Sequence, residues 1–316
     1  MRALRSGALL LALCQGVATA CTPTIPVDAA YRAPRDPATV ARGKYLVEAV
    51  AGCWACHSQR DFRYYSGPPR PGSEGMAGRR VGRIFGVAGS LPAPNLTPAH
   101  LGNWSDGEIR RALVNGLSKD GHPQMLVMPY DQYGIASKED VGAIIAYLRT
   151  LATKPEPKPA RRLEFPLNLI VRTMPIAEAE HRAAPKGGRE RGGYLVDIAG
   201  CPWCHSPLDF KKEIKASKVF AGGNLFYLPG GRKVQSPNIT PDPETGIGRW
   251  SREVFIAKFK AMRGEELRKS PLPRAAANSV MPWFVYAELR EDDLSDIYDY
   301  LMAQRPILSR VETYPK

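Results

Sequence analysis

Residues 52–58 read GCWACHS and residues 200–206 read GCPWCHS. Two near-copies of one short signal stand about half a chain apart. Each places cysteines at i and i+3 and a histidine directly after the second cysteine. The chain has 316 residues and six cysteines; Cys14 and Cys21 lie near the N-terminus, and the other four form the pairs Cys53/Cys56 and Cys201/Cys204. Only five histidines occur in the whole chain, and two of them, His57 and His205, occupy this one position.

Paired cysteines have several ordinary uses. Disulfides are the default in exported proteins, and redox CxxC motifs and zinc sites are two more. None of the three requires a histidine beside the second cysteine, twice. C-x-x-C-H is the attachment signal for c-type haem. One helical turn separates the two thiols, so both reach the same porphyrin edge and add to its vinyl groups. The neighbouring histidine then folds beneath the ring to bind iron. The expectation is two covalently bound haem c groups, on Cys53 and Cys56 with His57, and on Cys201 and Cys204 with His205.

The likeness between the halves extends beyond the pentapeptide. RGKYLVEAVAGCWACHS from Arg42 matches RGGYLVDIAGCPWCHS from Arg191 with one residue inserted. APNLTPAHLGNWS from Ala93 answers SPNITPDPETGIGRWS from Ser236, and MPYDQYGIASKEDVGAIIAYLRTL from Met128 answers MPWFVYAELREDDLSDIYDYLMAQ from Met281. The order is the same in both halves, so a unit of ordinary domain size has been duplicated.

The N-terminus reads as an export signal. Arg2 and Arg5 precede the apolar run GALLLAL, and small residues lead up to Cys21. The rest of the chain has no uninterrupted apolar run long enough to cross a bilayer; FPLNLIV (165–171) is broken by Pro166 and Asn168. Formal net charge is +13, and removing a signal that holds Arg2 and Arg5 leaves 13 − 2 = +11. There is no dense Lys/Arg run, so the expected partner is a redox protein with an acidic face rather than nucleic acid.

Hydrophobic periodicity is helical almost throughout. A first helix is expected over Pro37–Cys53. A second, WSDGEIRRALVNG, opens with a capping box at Ser105 and Glu108 and stops at Gly116; SREVFIAKFKAM from Ser251 is its counterpart. A third opens at Ser137 and carries Val141, Ile144, Ile145 and Leu148 at helical spacing, answered by EDDLSDIYDYLMAQ before Pro306. Between the halves, ATKPEPKPARRLEFPLNLIVRTMP reads as an extended linker whose apolar part packs on a neighbour. Tyr45, Tyr194, Tyr147 and Tyr300 are expected to join first and last helices beside the small Gly43 and Gly192. His100 and His181 are expected at the surface.

With CWACH, CPWCH, the PN-x-TP loops and the MP loops in view, the chain resembles the exported dihaem c-type cytochromes, over roughly residues 37–305. It is also similar to the haem subunits of membrane-bound alcohol and gluconate dehydrogenases, which carry three such motifs where this chain has two. The resemblance implies an all-α fold of two tandem class I cytochrome c domains, each wrapped round one covalent haem. The implied boundaries are 1–20 signal peptide, 21–36 tether, 37–152 first domain, 153–186 linker and 187–316 second domain. It also puts the second iron ligand of each domain at Met128 and Met281, 71 and 76 residues after His57 and His205 (128 − 57 and 281 − 205). Met125 and His122 are competitors in the first half.

Pro94 and Pro237 read equally as carbonyl acceptors for the ligand histidines or as plain turns. Trp104 and Trp250 read equally as haem neighbours or as core. The implied activity is single-electron transfer between a respiratory donor, a dehydrogenase or quinol-oxidising complex, and an acceptor, with no catalytic residue. The alternatives are a dihaem enzyme such as a peroxidase, or a haem subunit of a dehydrogenase complex. Location is expected on the periplasmic side of a bacterial membrane, anchored by a lipid on Cys21, or alternatively free in the periplasm.

Overall fold

The computed structural model describes residues 22–78, 81–155, 160–208, 214–273 and 276–315. It is helical, with two short two-stranded ladders. Asp36 caps α1 (Pro37–Tyr45): its carboxylate accepts from the Thr39 N–H at 2.9 Å, and Pro37 supplies the fixed φ of a first helical residue. The expected run to Cys53 is interrupted. Leu46–Val50 is wound as a π-helical turn, and Gly52 is left-handed at φ 61°. That single residue turns the chain into α2 (Cys53–Cys56), the short helix that carries the first cysteine pair.

The capping box at Ser105 forms with both of its bonds, 3.1 Å to the Glu108 N–H and 2.6 Å from the Ser105 N–H to the Glu108 carboxylate. It starts α3 (Asp106–Asn115), which left-handed Gly116 ends. α4 (Tyr130–Ile135) follows Met128, and α5 (Lys138–Leu148) is capped by Ser137. The second half repeats the series: α6 (Gly188–Ile198), α7 (Cys201–His205) after left-handed Gly200, α8 (Arg252–Lys260) capped by Ser251, α9 (Trp283–Tyr286) and α10 (Glu291–Met302).

In each half the first helix crosses the last in backbone contact. A Cβ on Gly43 would lie 1.8 Å from the Ala143 carbonyl oxygen, and one on Gly192 would lie 1.9 Å from that of Asp296. Only glycine permits crossings that tight. Leu46, Val50, Ile144 and Ile145 in the first half, and Leu195, Ile198 and Leu294 in the second, are fully buried at and near these crossings. Each such side chain contributes about 1.5–3 kcal/mol. One apolar cluster runs through both halves without a break.

The halves meet in a pattern with near two-fold symmetry. The Tyr194 hydroxyl donates to Asp140 Oδ2 at 2.7 Å and accepts from the Ser137 N–H at 3.0 Å. At the matching positions, Tyr45 donates to Asp293 and accepts from the Arg290 N–H. The carboxylates are held in turn by Arg42, bidentate on Asp140 at 2.8 Å, and by Arg191 on Asp293 and Asp296. Tyr45 and Tyr194 therefore join one half to the other, not first helix to last within a half. Tyr147 does make the expected bond, to Glu48 of the π-helical turn that continues α1.

The linker departs from expectation. Its strand β2 (Arg162–Leu163) pairs antiparallel with β1 (Gly89–Ser90), while β3 (Leu225–Tyr227) pairs with β4 (Lys233–Gln235) in the second half. Phe165 is 79% exposed, and Leu169 and Ile170 are also exposed, so most of the apolar run does not pack. Other residues anchor it: Val171 is buried, the Met174 carbonyl accepts from Tyr130 Oη at 2.9 Å, and the Ile176 N–H donates to Asn115. The proposed signal peptide and Cys21 lie outside the described residues.

Candidate haem sites

α2 and α7 each hold their two cysteines one turn apart, so the thiols leave the same side of the helix. All four thiols are free, with no disulfide between them. Burial pushes the thiols of Cys53, Cys201 and Cys204 up to about 12 and raises that of Cys56. These are not the thiolates of a redox motif, whose pKa values are lowered. Nor do the described residues contain a group of three or more His, Cys, Asp or Glu that would hold a zinc ion.

Both histidines are prepared in the same way. His57 Nδ1 lies 2.7 Å from the Pro94 carbonyl, and His205 Nδ1 lies 2.8 Å from that of Pro237. A carbonyl only accepts, so Nδ1 carries the proton and the Nε2 lone pair is left for a ligand. Burial lowers the pKa of His57 to about 4 and lowers that of His205, in each case against the opposing carbonyl bond. Both rings are neutral at physiological pH, as metal ligation requires.

The acceptor loops are themselves clamped. Asn95 Oδ1 accepts from the Thr97 N–H at 2.7 Å while its Nδ2 donates to the Lys154 carbonyl at 2.7 Å. Asn238 does the same with Thr240 at 2.9 Å and Ile307 at 2.7 Å. Each PN-x-T loop is thus both a turn and a carbonyl held at a fixed place, tied to the chain just beyond the last helix.

Both motifs open into one continuous cavity of about 1310 Å³. That exceeds the ~300–1,000 Å³ of an ordinary small-molecule site. Cys53, Cys56, His57 and Met128 line it from the first half, and Cys201, Cys204, His205 and Met281 from the second. The residues four positions beyond the methionines cross the boundary. Val285 lies 3.3 Å from where a Cβ on Gly52 would be, and Gln132 lies 3.1 Å from where one on Gly200 would be. Each glycine before a cysteine pair thus receives a side chain from the opposite half.

The donor set fits covalent haem: paired protonated thiols, a neutral histidine with a fixed tautomer and a methionine at the wall of a large cavity, twice. Met125 and His122 also line the cavity, as does Trp104. Trp250 does not; it packs against the apolar core, with Lys258 over its ring and its carbonyl accepting from Tyr298. His100, expected at the surface, lines the cavity with its ring edge-on to Trp104 at 5.4 Å. His181 is half-buried, its Nδ1 2.6 Å from the Ala136 carbonyl.

Several site residues carry no signal in a single motif. Tyr133 and Tyr286 donate to the Ala51 and Ala199 carbonyls just before each cysteine pair, at 3.3 and 2.6 Å. A tyrosine five residues after each methionine was the available clue. Arg60 Nη2 donates to the Val280 carbonyl at 3.0 Å, and Ser66 Oγ donates to that of Met281 at 2.6 Å. A first-half loop therefore grips the second-half methionine loop.

Comparison with known proteins places the chain. No family model matches it. The cytochrome subunit of fructose dehydrogenase from Gluconobacter japonicus is 30% identical over 296 residues, covering 88% of this chain and 54% of that protein. A dihaem c-type cytochrome from Cereibacter sphaeroides is 31% identical over 212 residues, covering 63% of this chain and 67% of that protein. The chain belongs to the c-type cytochromes. The cytochrome c subunit of a quinone-dependent alcohol dehydrogenase from Gluconacetobacter polyoxogenes is also similar, 28% identical over 289 residues, or 86% of this cytochrome and 57% of the subunit. This cytochrome spans about half the length of the dehydrogenase subunits it matches. Membership implies covalently bound haem c and a part in electron transfer. Among the described residues, no helix is long and apolar enough to cross a membrane.

Proposed function

We propose that this cytochrome is an exported two-haem electron carrier built of two tandem class I domains, at 37–152 and 187–316. One haem is attached through Cys53 and Cys56 with His57 and Met128 as iron ligands, the other through Cys201 and Cys204 with His205 and Met281. The observation that carries this reading is the matched pair of sites. Each has a left-handed glycine, two buried thiols, a histidine whose Nδ1–H is engaged, and a methionine loop, and both open on the same cavity.

When bound, such groups supply reversible one-electron exchange at iron. The protein's own residues position them and exclude water. Pro94 and Pro237 fix the histidine rings. Tyr133 and Tyr286 tie the methionine helices to the cysteine turns. The crossed Tyr–Asp pairs lock the halves, so little rearrangement accompanies a change of charge. The shared cavity supports direct transfer between the two sites.

The partner is a redox protein with an acidic face, matched to the basic chain. The names of the relatives favour a dehydrogenase over a peroxidase reading. The site is on the periplasmic side, anchored by a lipid on Cys21; the expected free tether over 21–36 is instead packed on the first half from Ile25 to Arg35, with Ile25 and Ala33 buried and the Ala33 N–H donating to Asp106 at 3.0 Å. Mass spectrometry of the N-terminal peptide checks the anchor, and an unmodified Cys21 thiol would contradict it.

The test of the function is stopped-flow reduction of the purified holoprotein by a small donor. Two electrons should be taken up per chain, quickly, with no saturable peroxide turnover. High-spin iron and peroxidase activity would overturn the reading.

A further inference from the structure

The two sites are so closely matched that their differences are informative. The residue 33 positions beyond each methionine (161 − 128 and 314 − 281) is Arg161 in the first half and Tyr314 in the second. Both line the cavity. Both lie where the chain folds back past its own PN-x-T loop. Arg161 directly precedes β2, which pairs with first-half residues Gly89 and Ser90, and the Thr313 carbonyl accepts from the Gln235 N–H at 2.8 Å. One position therefore presents a guanidinium to the first site and a phenol to the second.

Arg161 is held by the Pro123 carbonyl, which lies in the approach to Met128. Among the described residues no carboxylate forms an ion pair with it. Arg161 is exposed at the cavity wall, and its partial burial lowers its pKa from the ordinary arginine value.

A second cation lies between the two sites. Arg60 follows the first motif in HSQRDF, and Leu208 holds that place in HSPLDF. Arg60 lines the cavity, lies near Cys56, donates to the carbonyls of Ser66, Gly67 and Val280, and stacks over the rings of Phe62 and Phe284 at 4.6 and 5.5 Å, so it faces both sites and does not by itself favour either. Among the described residues, no lysine or arginine of the second half lines the cavity.

We propose that Arg161 makes the first site the higher-potential member of the pair, so that a single electron on the protein resides there. The proposal rests on the reading that each motif holds one haem with histidine and methionine ligands. A nearby positive charge stabilises the reduced state, which carries one positive charge fewer. It acts the same way whether the guanidinium faces the iron or neutralises an anionic edge of the haem. In the internal step one electron leaves the ferrous second site, which becomes ferric, and reduces the ferric first site to ferrous. No bond forms or breaks and no proton moves.

The test is an anaerobic spectroelectrochemical titration of the holoprotein and its variants. Met128→His and Met281→His each displace one wave downward, which assigns the two potentials to the two halves. Arg161→Gln should lower the wave assigned by Met128→His and leave the other in place. The expected size is roughly tenfold in the reduction equilibrium, or about 59 mV for a one-electron couple. Tyr314→Arg should raise the wave assigned by Met281→His and narrow the gap. The proposal is overturned if Arg161→Gln moves neither wave, if it moves the second-half wave instead, or if the first-half wave is the lower one in the wild type. A haem count below two per chain, measured first on the alkaline pyridine complex, would instead sink the reading on which the proposal rests.

Discussion

Replacing Tyr194 by phenylalanine removes a single oxygen from the seam between the halves. That hydroxyl donates to Asp140 at 2.7 Å and accepts from the Ser137 N–H at 3.0 Å. All three residues are buried. Asp140 keeps its bidentate pair with Arg42, so the carboxylate stays satisfied. The Ser137 N–H loses its acceptor at a residue that is 2% exposed. A hydrogen bond to a charged partner contributes ~1.5–3 kcal/mol, and stranding a buried donor costs ~1–3 kcal/mol; with the two overlapping, the loss is about 2–4 kcal/mol. Tyr45→Phe is the internal control. Its bonds go to Asp293, which retains Arg191 and Arg290, and come from the exposed Arg290 N–H, which water can satisfy. The expected loss there is about 0.5–1.5 kcal/mol. Urea unfolding followed by far-ultraviolet circular dichroism and by haem absorbance gives both values, with the midpoint moving and the slope unchanged. A Tyr194→Phe protein within 0.5 kcal/mol of wild type, or more stable than Tyr45→Phe, would refute the claim that this bond locks the halves.

Met128→Ala and Met281→Ala should each remove about half of the weak far-red band of ferric thioether ligation and lower one potential; absorption spectra of the oxidised variants check this, and two unchanged spectra would rule out both ligands. Gly43→Ala should destabilise the fold by about 3 kcal/mol, because its Cβ would collide with the Ala143 carbonyl, whereas Gly187→Ala, with an extended φ of 179° and nothing within 4 Å, should lose far less; thermal unfolding compares them. Asp106 provides a pH signature. Burial alone would raise its carboxyl pKa, but the Ala33 N–H, Arg149 and Arg35 outweigh that and hold it below the ordinary range. A folded-state pKa below the unfolded one contributes stability that is full above the unfolded value and lost as pH falls through the folded one. Asp106→Asn should therefore be less stable than wild type at pH 7, with the difference shrinking below about pH 4; a constant difference across that range would contradict the assignment.

What was legible in the sequence was local. Capping boxes, glycine stops, the cysteine–histidine turns and the duplicated order each depend on residues a few positions apart, and each forms as expected. The crossed pairs were not legible for a definite reason. Tyr45 and Asp140 repeat as Tyr194 and Asp293, so the same residues satisfy a pairing within each half or between halves, and no spacing distinguishes the two. Packing decides it. The same holds for Arg60, whose acceptors include Val280, 220 residues away, and for His100, whose cavity exists only once both halves are placed. FPLNLIV misled because apolar composition reads as burial, while the anchors of that segment are Val171, Met174 and Ile176 just beyond most of it.

The central claim is that both cysteine pairs carry covalent haem. Intact-mass measurement of the mature protein under denaturing conditions tests it most directly, read alongside peptide mapping of Cys53/Cys56 and Cys201/Cys204. The account predicts a mass about 1.2 kDa above that of the mature polypeptide, with one porphyrin on each mapped peptide. A mass equal to the polypeptide, or four free or disulfide-bonded cysteines in the map, would contradict it.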